Sequence, residues 1–165
     1  MLDAQLIEKT LTGDMSAFDE LMRKYQKLVY SVALNYTRQA EDAMDITQNV
    51  FLAAFEKLHS VQQPDQFKSW LMRVTYNSSV SFSRSQRAEP HVALAEEQLP
   101  SEDHPLDRHM LGQYLDKLHP KHRLAVVLKY IEGYAVKEIA EVLECHETVV
   151  KNILYRSMRK MAEVP

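Results

Sequence analysis

Glu138-Ile139-Ala140-Glu141-Val142-Leu143-Glu144-Cys145-His146-Glu147-Thr148-Val149-Val150-Lys151-Asn152-Ile153 carries Ile139, Ala140, Leu143, Cys145, Val150 and Ile153 where two short helices crossing through a tight turn need apolar or small side chains. The second of these helices, from about His146 to Met161, then presents His146, Glu147, Thr148, Lys151, Asn152, Tyr155 and Arg156 on its outer face. Side chains of these types contact base edges and phosphates. The pattern is that of a helix-turn-helix. One residue departs from it: Glu144 stands in the tight turn where glycine usually supplies a positive φ.

Upstream of this motif a helix opens near Pro120, which suits a first-turn position, and ends at Gly133, which suits a C-terminal cap. Further back, Pro90, Pro100 and Pro105 alternate with Glu89, Glu96, Glu97, Glu102 and Asp103. This composition resists helix formation and repels itself, so residues 89–105 are expected to be a flexible linker between two modules, 1–88 and 106–165. The formal net charge of −3 resolves accordingly. Residues 1–87 carry ten acids and ten bases, 88–105 five acids and no Lys or Arg, and 106–165 eight acids and ten bases. The acidity sits in the middle, and both modules remain compatible with nucleic acid.

In the first module, Ser16 and Asp19 have the spacing of a capping box, and Phe18, Leu21, Met22, Tyr25, Leu28, Val29, Val32 and Tyr36 follow helical periodicity. A second helix is expected from about Glu41 to Leu58, with Met44, Phe51, Ala54, Phe55 and Leu58 inward. A third follows Pro64, with Phe67, Trp70, Leu71, Val74 and Phe82 inward, and a short helix before Gly13 completes the bundle. Charge is sorted between these helices. Glu41, Asp42 and Asp45 lack basic neighbours, whereas Lys68, Arg73, Arg84 and Arg87 face only Asp65, so one helix suits a basic partner and the other phosphate.

With only three glycines and no run alternating at period two, strands and phosphate-cradling loops are not expected, and the fold class is all-α: two small helical domains, the C-terminal one a helix-turn-helix. No segment reaches the roughly 18 apolar residues of a membrane span, and Met1-Leu2-Asp3 lacks the order of a signal peptide. A cytoplasmic protein without membrane insertion is expected, and the lone Cys145 agrees with a reducing compartment. Cys145 occupies an apolar turn position and is assigned to packing. His119 and His122 lie three apart without an acidic or cysteine ligand at a recognised spacing, so no metal site is expected. No nucleophile–base pair or facing carboxylates stand out. Neither enzyme activity nor a cofactor is expected.

Four segments in order resemble the extracytoplasmic-function (group four) sigma factors of bacterial RNA polymerase. Asp45-Ile46-Thr47-Gln48-Asn49-Val50-Phe51 is similar to the family's core-binding motif, and Phe67-Lys68-Ser69-Trp70-Leu71-Met72-Arg73-Val74 to the start of its promoter-melting helix. Leu118 through Gly133, with Arg123, Leu128, Tyr130 and Glu132, resembles the lead-in to the helix-turn-helix, and Glu138–Leu143 with Val150-Lys151 the motif itself. The resemblance implies a partner, core RNA polymerase (β′ and β subunits), with Asp42, Asp45, Gln48, Asn49 and Phe51 in the docking segment. It implies that Phe67, Lys68, Arg73, Asn77, Ser81, Arg84 and Arg87, with the loop from Ser60 to Phe67, engage the minus-10 element and its single strand. The outer face carrying His146, Glu147, Thr148, Lys151, Asn152, Tyr155 and Arg156 would read the minus-35 duplex, and an anti-sigma factor is an expected inhibitor.

Several positions depart from the family pattern. Ser81 stands where an Asp is usual, Ser85, Gln86 and Ala88 interrupt an Arg run, Asn49 replaces an acid, and Ile153 and Met158 replace basic residues. DNA binding by the free chain is therefore expected to be feeble. The rival reading is a dimeric helix-turn-helix regulator that never touches polymerase, since such regulators pair to span two half-sites.

Overall fold

A computed structural model describes residues 1–86 and 112–162. Arg87, the expected linker 89–105 and the last three residues lie outside the described residues. Every regular element among those described is helical, and the chain forms two helical domains.

Helix α1 (Asp3–Leu11) buries Leu6, Ile7 and Thr10, with Asp3 in its first turn and Lys9 in its last, each at the favourable end of the helix dipole. Gly13, at φ +103°, lets the chain reverse, and the Asp14 N–H donates back to Lys9 O at 2.9 Å. Helix α2 (Met15–Thr37) is capped by Asp14, whose carboxylate accepts from the Ser16 N–H at 3.0 Å. The cap is thus Asp14 rather than Ser16, because an acceptor one residue before the first helical position meets the orphan amides, whereas Ser16 is already inside the first turn. Burial of Phe18, Leu21, Tyr25, Val29, Val32 and Tyr36 follows the expected periodicity.

Helix α3 (Ala40–Lys57) differs from expectation in the face it buries. Ala43, Ile46, Val50 and Ala54 are inside, followed by Leu58, while Met44 and Phe55 are 56% and 45% exposed. Small Ala43 and Ala54 allow close packing on α2, so the larger side chains are displaced outward. Two short 3-10 turns, Leu58–Ser60 and Pro64–Gln66, lead into α4 (Phe67–Gln86). Its buried row, Phe67, Leu71, Met72, Thr75 and Ser79, shrinks along the helix. The two buried hydroxyls are satisfied by their own helix, Thr75 donating to Leu71 O and Ser79 to Thr75 O at 2.8 Å each. Trp70, Val74 and Phe82 are half-buried against the same core.

The second domain begins with a helical turn over 112–116. Helix α5 (Pro120–Val126) has Pro120 in its first turn and widens into a π-helical turn, Val127–Ile131. Gly133, at φ +75°, closes it, with the Tyr134 N–H donating to Leu128 O at 2.8 Å. Helix α6 (Val136–Leu143) starts with the Glu138 carboxylate accepting from the Ala135 N–H at 2.8 Å. It ends at Glu144, φ +53°, and α7 (Glu147–Ala162) follows. Holding a non-glycine residue left-handed costs roughly 1–2 kcal/mol. Ile139, Ala140, Leu143, Val150 and Ile153 are all buried, and Cys145 is half-buried.

The two domains pack on each other, α5 against α2 and α6 against α4. Arg123, 5% exposed, reaches out of the second domain to the carboxyl end of α2, where it donates to Asn35 O and, at 2.6 Å, to Tyr36 O.

Candidate nucleic-acid interface and docking groove

Because α3 turns its small residues inward, its large ones form one wall of an open groove with α2. Phe51 and Phe55 face Phe18, Met22 and Tyr30 across about 730 Å³, with Lys27 and Gln48 among its lining residues. Phe18 and Phe55 meet edge to face at 5.1 Å. Leu52 beside them is 66% exposed. A cluster of exposed aromatic and aliphatic side chains on a small domain is a surface suited to a partner. Asp45 is exposed on the same helix, and Asp42 is half-buried.

The other flank of α3 makes a second groove, with α4. Asn49, Ala53 and Lys57 face Val74, Asn77, Ser78 and Ser81 across about 450 Å³. Asn49 therefore parts from Gln48 and Phe51, with which the sequence grouped it, and joins Asn77 and Ser81. Amides and hydroxyls on both walls can donate to and accept from the edges of an unstacked base.

Along α4 the expected DNA-facing residues divide. Asn77, Ser81 and Arg84 are exposed. Phe67 is 2% exposed, its ring centroid 5.5 Å from that of Tyr25 and 5.7 Å from that of Trp70. It has no face open to a base, because it is the widest member of the buried row. Lys68 and Arg73 are engaged by the second domain. The Lys68 ammonium lies 4.9 Å over the Tyr134 ring, and Arg73 Nε donates to Glu141 O at 3.2 Å and sits 4.0 Å from the Glu144 carboxylate.

On α7, by contrast, His146, Glu147, Thr148, Lys151, Asn152, Tyr155 and Arg156 are all exposed, His146 just before the helix. The buried Val150, Ile153 and Leu154 set that orientation. Behind this face His119 and His122 stack edge to face at 5.7 Å, near Arg156 and Lys160. Burial, then the neighbouring cations, hold His122 below its usual pKa, so it is favoured neutral in this basic corner. Arg123 is also shifted, pulled down to about 10 by burial first and by Arg38 next, and stays cationic at neutral pH.

The sequence reading missed Phe18, Leu52 and Phe55 as groove residues and Arg38 and Arg123 as bridging residues. A signal for the first group was available, since α3 carries more apolar positions than one inner stripe can hold. For the arginines no local signal exists.

The chain matches the family model described as sigma-70 region 2 over residues 21–89 and that described as sigma-70 region 4 over residues 108–161. It is 28% identical to the RNA polymerase sigma-H factor of Pseudomonas aeruginosa, covering 94% of this chain and 89% of that one. It is likewise 28% identical to the extracytoplasmic-function RNA polymerase sigma factor SigM of Mycobacterium tuberculosis, covering 98% and 84%. Among solved structures it is similar to CnrH in complex with the cytosolic domain of CnrY, at a TM-score of 0.73 and 25% identity over 97% of this chain and 94% of the other.

Proposed function

Because this chain belongs to the extracytoplasmic-function group of the sigma-70 family and is an RNA polymerase sigma factor, we propose which of its surfaces perform each part of initiation. The division of labour runs 1–88 for polymerase docking and minus-10 melting, 89–105 as tether, and 106–165 for minus-35 recognition. The α2–α3 groove, with Phe51, Phe55 and Gln48, and the acidic residues Asp42 and Asp45 of α3 together receive the clamp helices of the polymerase β′ subunit. The groove's wall of half-buried Phe51 and exposed Leu52 and Phe55 is the observation that carries this assignment. The second domain meets the β subunit while α7 lies in the major groove of the minus-35 duplex, with Lys151 and Arg156 on phosphates and Asn152 and Tyr155 within reach of base edges.

The α3–α4 groove accepts an unstacked base of the non-template strand between Asn49, Asn77 and Ser81, with Lys68, Arg73 and Arg84 on its backbone. Unstacking costs a few kcal/mol per base. Capture of the base and phosphate contacts return a comparable amount, about 1–3 kcal/mol per base plus a salt-dependent share. Opening is therefore driven by binding, shared with the polymerase, and the chain needs no chemistry of its own. The protein acts in the cytoplasm, where its polymerase is. No described helix is long and apolar enough to cross a membrane. An anti-sigma factor covering the apolar groove would silence it; CnrH, to which the chain is similar, is itself seen in complex with the cytosolic domain of CnrY.

The test is transcription by purified core RNA polymerase on a genomic fragment library, with and without the protein, followed by start-site mapping. New starts sharing paired upstream elements are expected. Replacement of Asn77 and Ser81 by Ala should then blur the minus-10 consensus, and replacement of Lys151 and Asn152 the minus-35 consensus. If each pair of substitutions left its own element untouched, the surface assignments would be wrong.

A further inference from the structure

Where α5 meets the flank of α7, one corner of the second domain gathers His119, Lys121, His122, Arg156 and Lys160. Every neighbouring charge that acts on the His122 ring is a cation: His119 and Lys121 from its own segment, Arg156 and Lys160 from α7. Arg123, the next residue, turns away to α2, and Asp116 is taken up by Arg38. None of the ion pairs among the described residues involves a member of the corner. Lys160 Nζ donates to Lys117 O at 2.8 Å, which holds the last turn of α7 against the segment leading into α5. Cations gathered without a carboxylate repel one another, and an anion joining them relieves a repulsion that the fold leaves standing.

The place of the corner on α7 identifies that anion. With Val150, Ile153, Leu154 and Ser157 buried, Thr148, Asn152 and Tyr155 point outward, while Arg156 and Lys160, one turn apart, share a flank. A helix about 10–12 Å across fills a major groove about 12 Å wide. Its outer face then meets base edges, and each flank lies along the phosphates of one strand. From α5, His119 and His122 widen the flank that carries Arg156 and Lys160, their rings 5.7 Å apart. His119 Nδ1 accepts from the Lys121 N–H at 3.2 Å, which leaves the proton of the neutral ring on Nε2 as a donor.

We propose that this corner is a phosphate-contact site outside the helix-turn-helix, in which Lys160, His119 and His122 extend the grip of Arg156 along one strand of the minus-35 duplex. The assignment rests on α7 being the minus-35 reader. It also makes the contact sensitive to acidity. Burial, then the surrounding cations, keep His122 below its usual pKa in the free chain, whereas a phosphate beside the ring favours the charged form. Binding therefore takes up a proton at His122, and affinity rises as pH falls toward 6.

The experiment uses holoenzyme assembled from core RNA polymerase and the full chain, as wild type, Lys160→Gln, Lys160→Arg and His122→Gln, with a promoter duplex recovered by start-site mapping as the probe. Glutamine at position 160 keeps an amide donor for Lys117 O and removes only the charge, and circular dichroism checks helicity. Lys160→Gln is expected to lower the salt slope by about 0.9, so that raising salt from 50 to 200 mM costs the wild type about 3.5-fold more affinity than the variant. Lys160→Arg restores the slope. His122→Gln matches the wild type at pH 8 and lacks its gain toward pH 6, which reaches up to about tenfold per pH unit for one proton. An unchanged slope in Lys160→Gln, or a loss confined to particular minus-35 sequences, overturns the phosphate contact. Superimposable pH profiles for wild type and His122→Gln overturn it through a variant that leaves Lys160 in place. Weakened assembly with core polymerase instead of weakened DNA binding overturns it in favour of a protein contact. The underlying assignment of α7 fails separately, if replacement of Lys151 and Asn152 leaves the minus-35 preference intact.

Discussion

Inside the first domain Val29, Val32, Val50 and Leu71 close on one another at 0% exposure, whereas the seam between the domains is closed by Arg38, Arg73 and Arg123 reaching for carboxylates and backbone carbonyls. Each buried aliphatic side chain contributes about 1.5–3 kcal/mol that is lost only if the core opens to water. A guanidinium released from the seam exchanges one set of hydrogen bonds for another, so its net contribution is smaller, roughly 1 kcal/mol for an ordinary hydrogen bond. An apolar interior maintains a fold, whereas contacts of guanidinium with carboxylate and carbonyl groups exchange with water more readily. The two sorts of contact therefore respond differently to substitution and to salt.

Leu71→Ala should have the largest effect, about 2–5 kcal/mol from lost transfer energy and the residual cavity, measured as a shift in the denaturant midpoint of the first domain. If the loss were below 1 kcal/mol, the interior would not be the rigid partner in this contrast. Arg123→Gln comes next. Loss of its charged hydrogen bonds should weaken the seam by up to about 1.5–3 kcal/mol, partly offset because a buried cation no longer has to be desolvated. Hydrogen exchange should accelerate at the carboxyl end of α2 while the first domain's midpoint holds. A midpoint shift as large as that of Leu71→Ala would show that the seam belongs to the folding core.

Glu144→Gly acts in two directions. Relief of the left-handed turn should raise the melting temperature of the second domain by the equivalent of about 1 kcal/mol, while removal of its carboxylate loosens Arg73. A fall in melting temperature would mean that the pairing outweighs the strain. Smallest is Arg38→Ala with Asp116→Ala: the partners are 27% and 44% exposed, so a double-mutant cycle should give about 0–1 kcal/mol, and less at high salt. A salt-insensitive coupling above that range would place the pair with the interior.

The sequence was informative wherever a local rule applies. Pro120 opens α5, Gly133 caps the turn after it, and the helix-turn-helix buries Ile139, Ala140, Leu143, Val150 and Ile153 as expected, with Cys145 half-buried. The strain at Glu144 was also foreseeable, because a tight turn between two helices demands a left-handed residue whatever occupies it. Local rules served less well on α3, where apolar residues occupy two faces and periodicity has no means of ranking them. At Phe67 periodicity and resemblance part: helical spacing places it inward, where it is found, whereas the resemblance groups it with the DNA-contacting residues.

By itself the amino-acid order determined which residues share a helix face, where helices start and stop, and how charge is distributed along the chain, since these depend on neighbours within a few positions. Only the tertiary structure decided which face of α3 packs on α2, leaving Phe51 and Phe55 to line a groove. It alone set Asn49 beside Asn77 and drew Lys68 and Arg73 under the second domain. Those outcomes depend on contacts between residues far apart in the chain, such as Arg123 with Tyr36, and a carbonyl at the end of one helix leaves no trace in the sequence of the cation that will satisfy it.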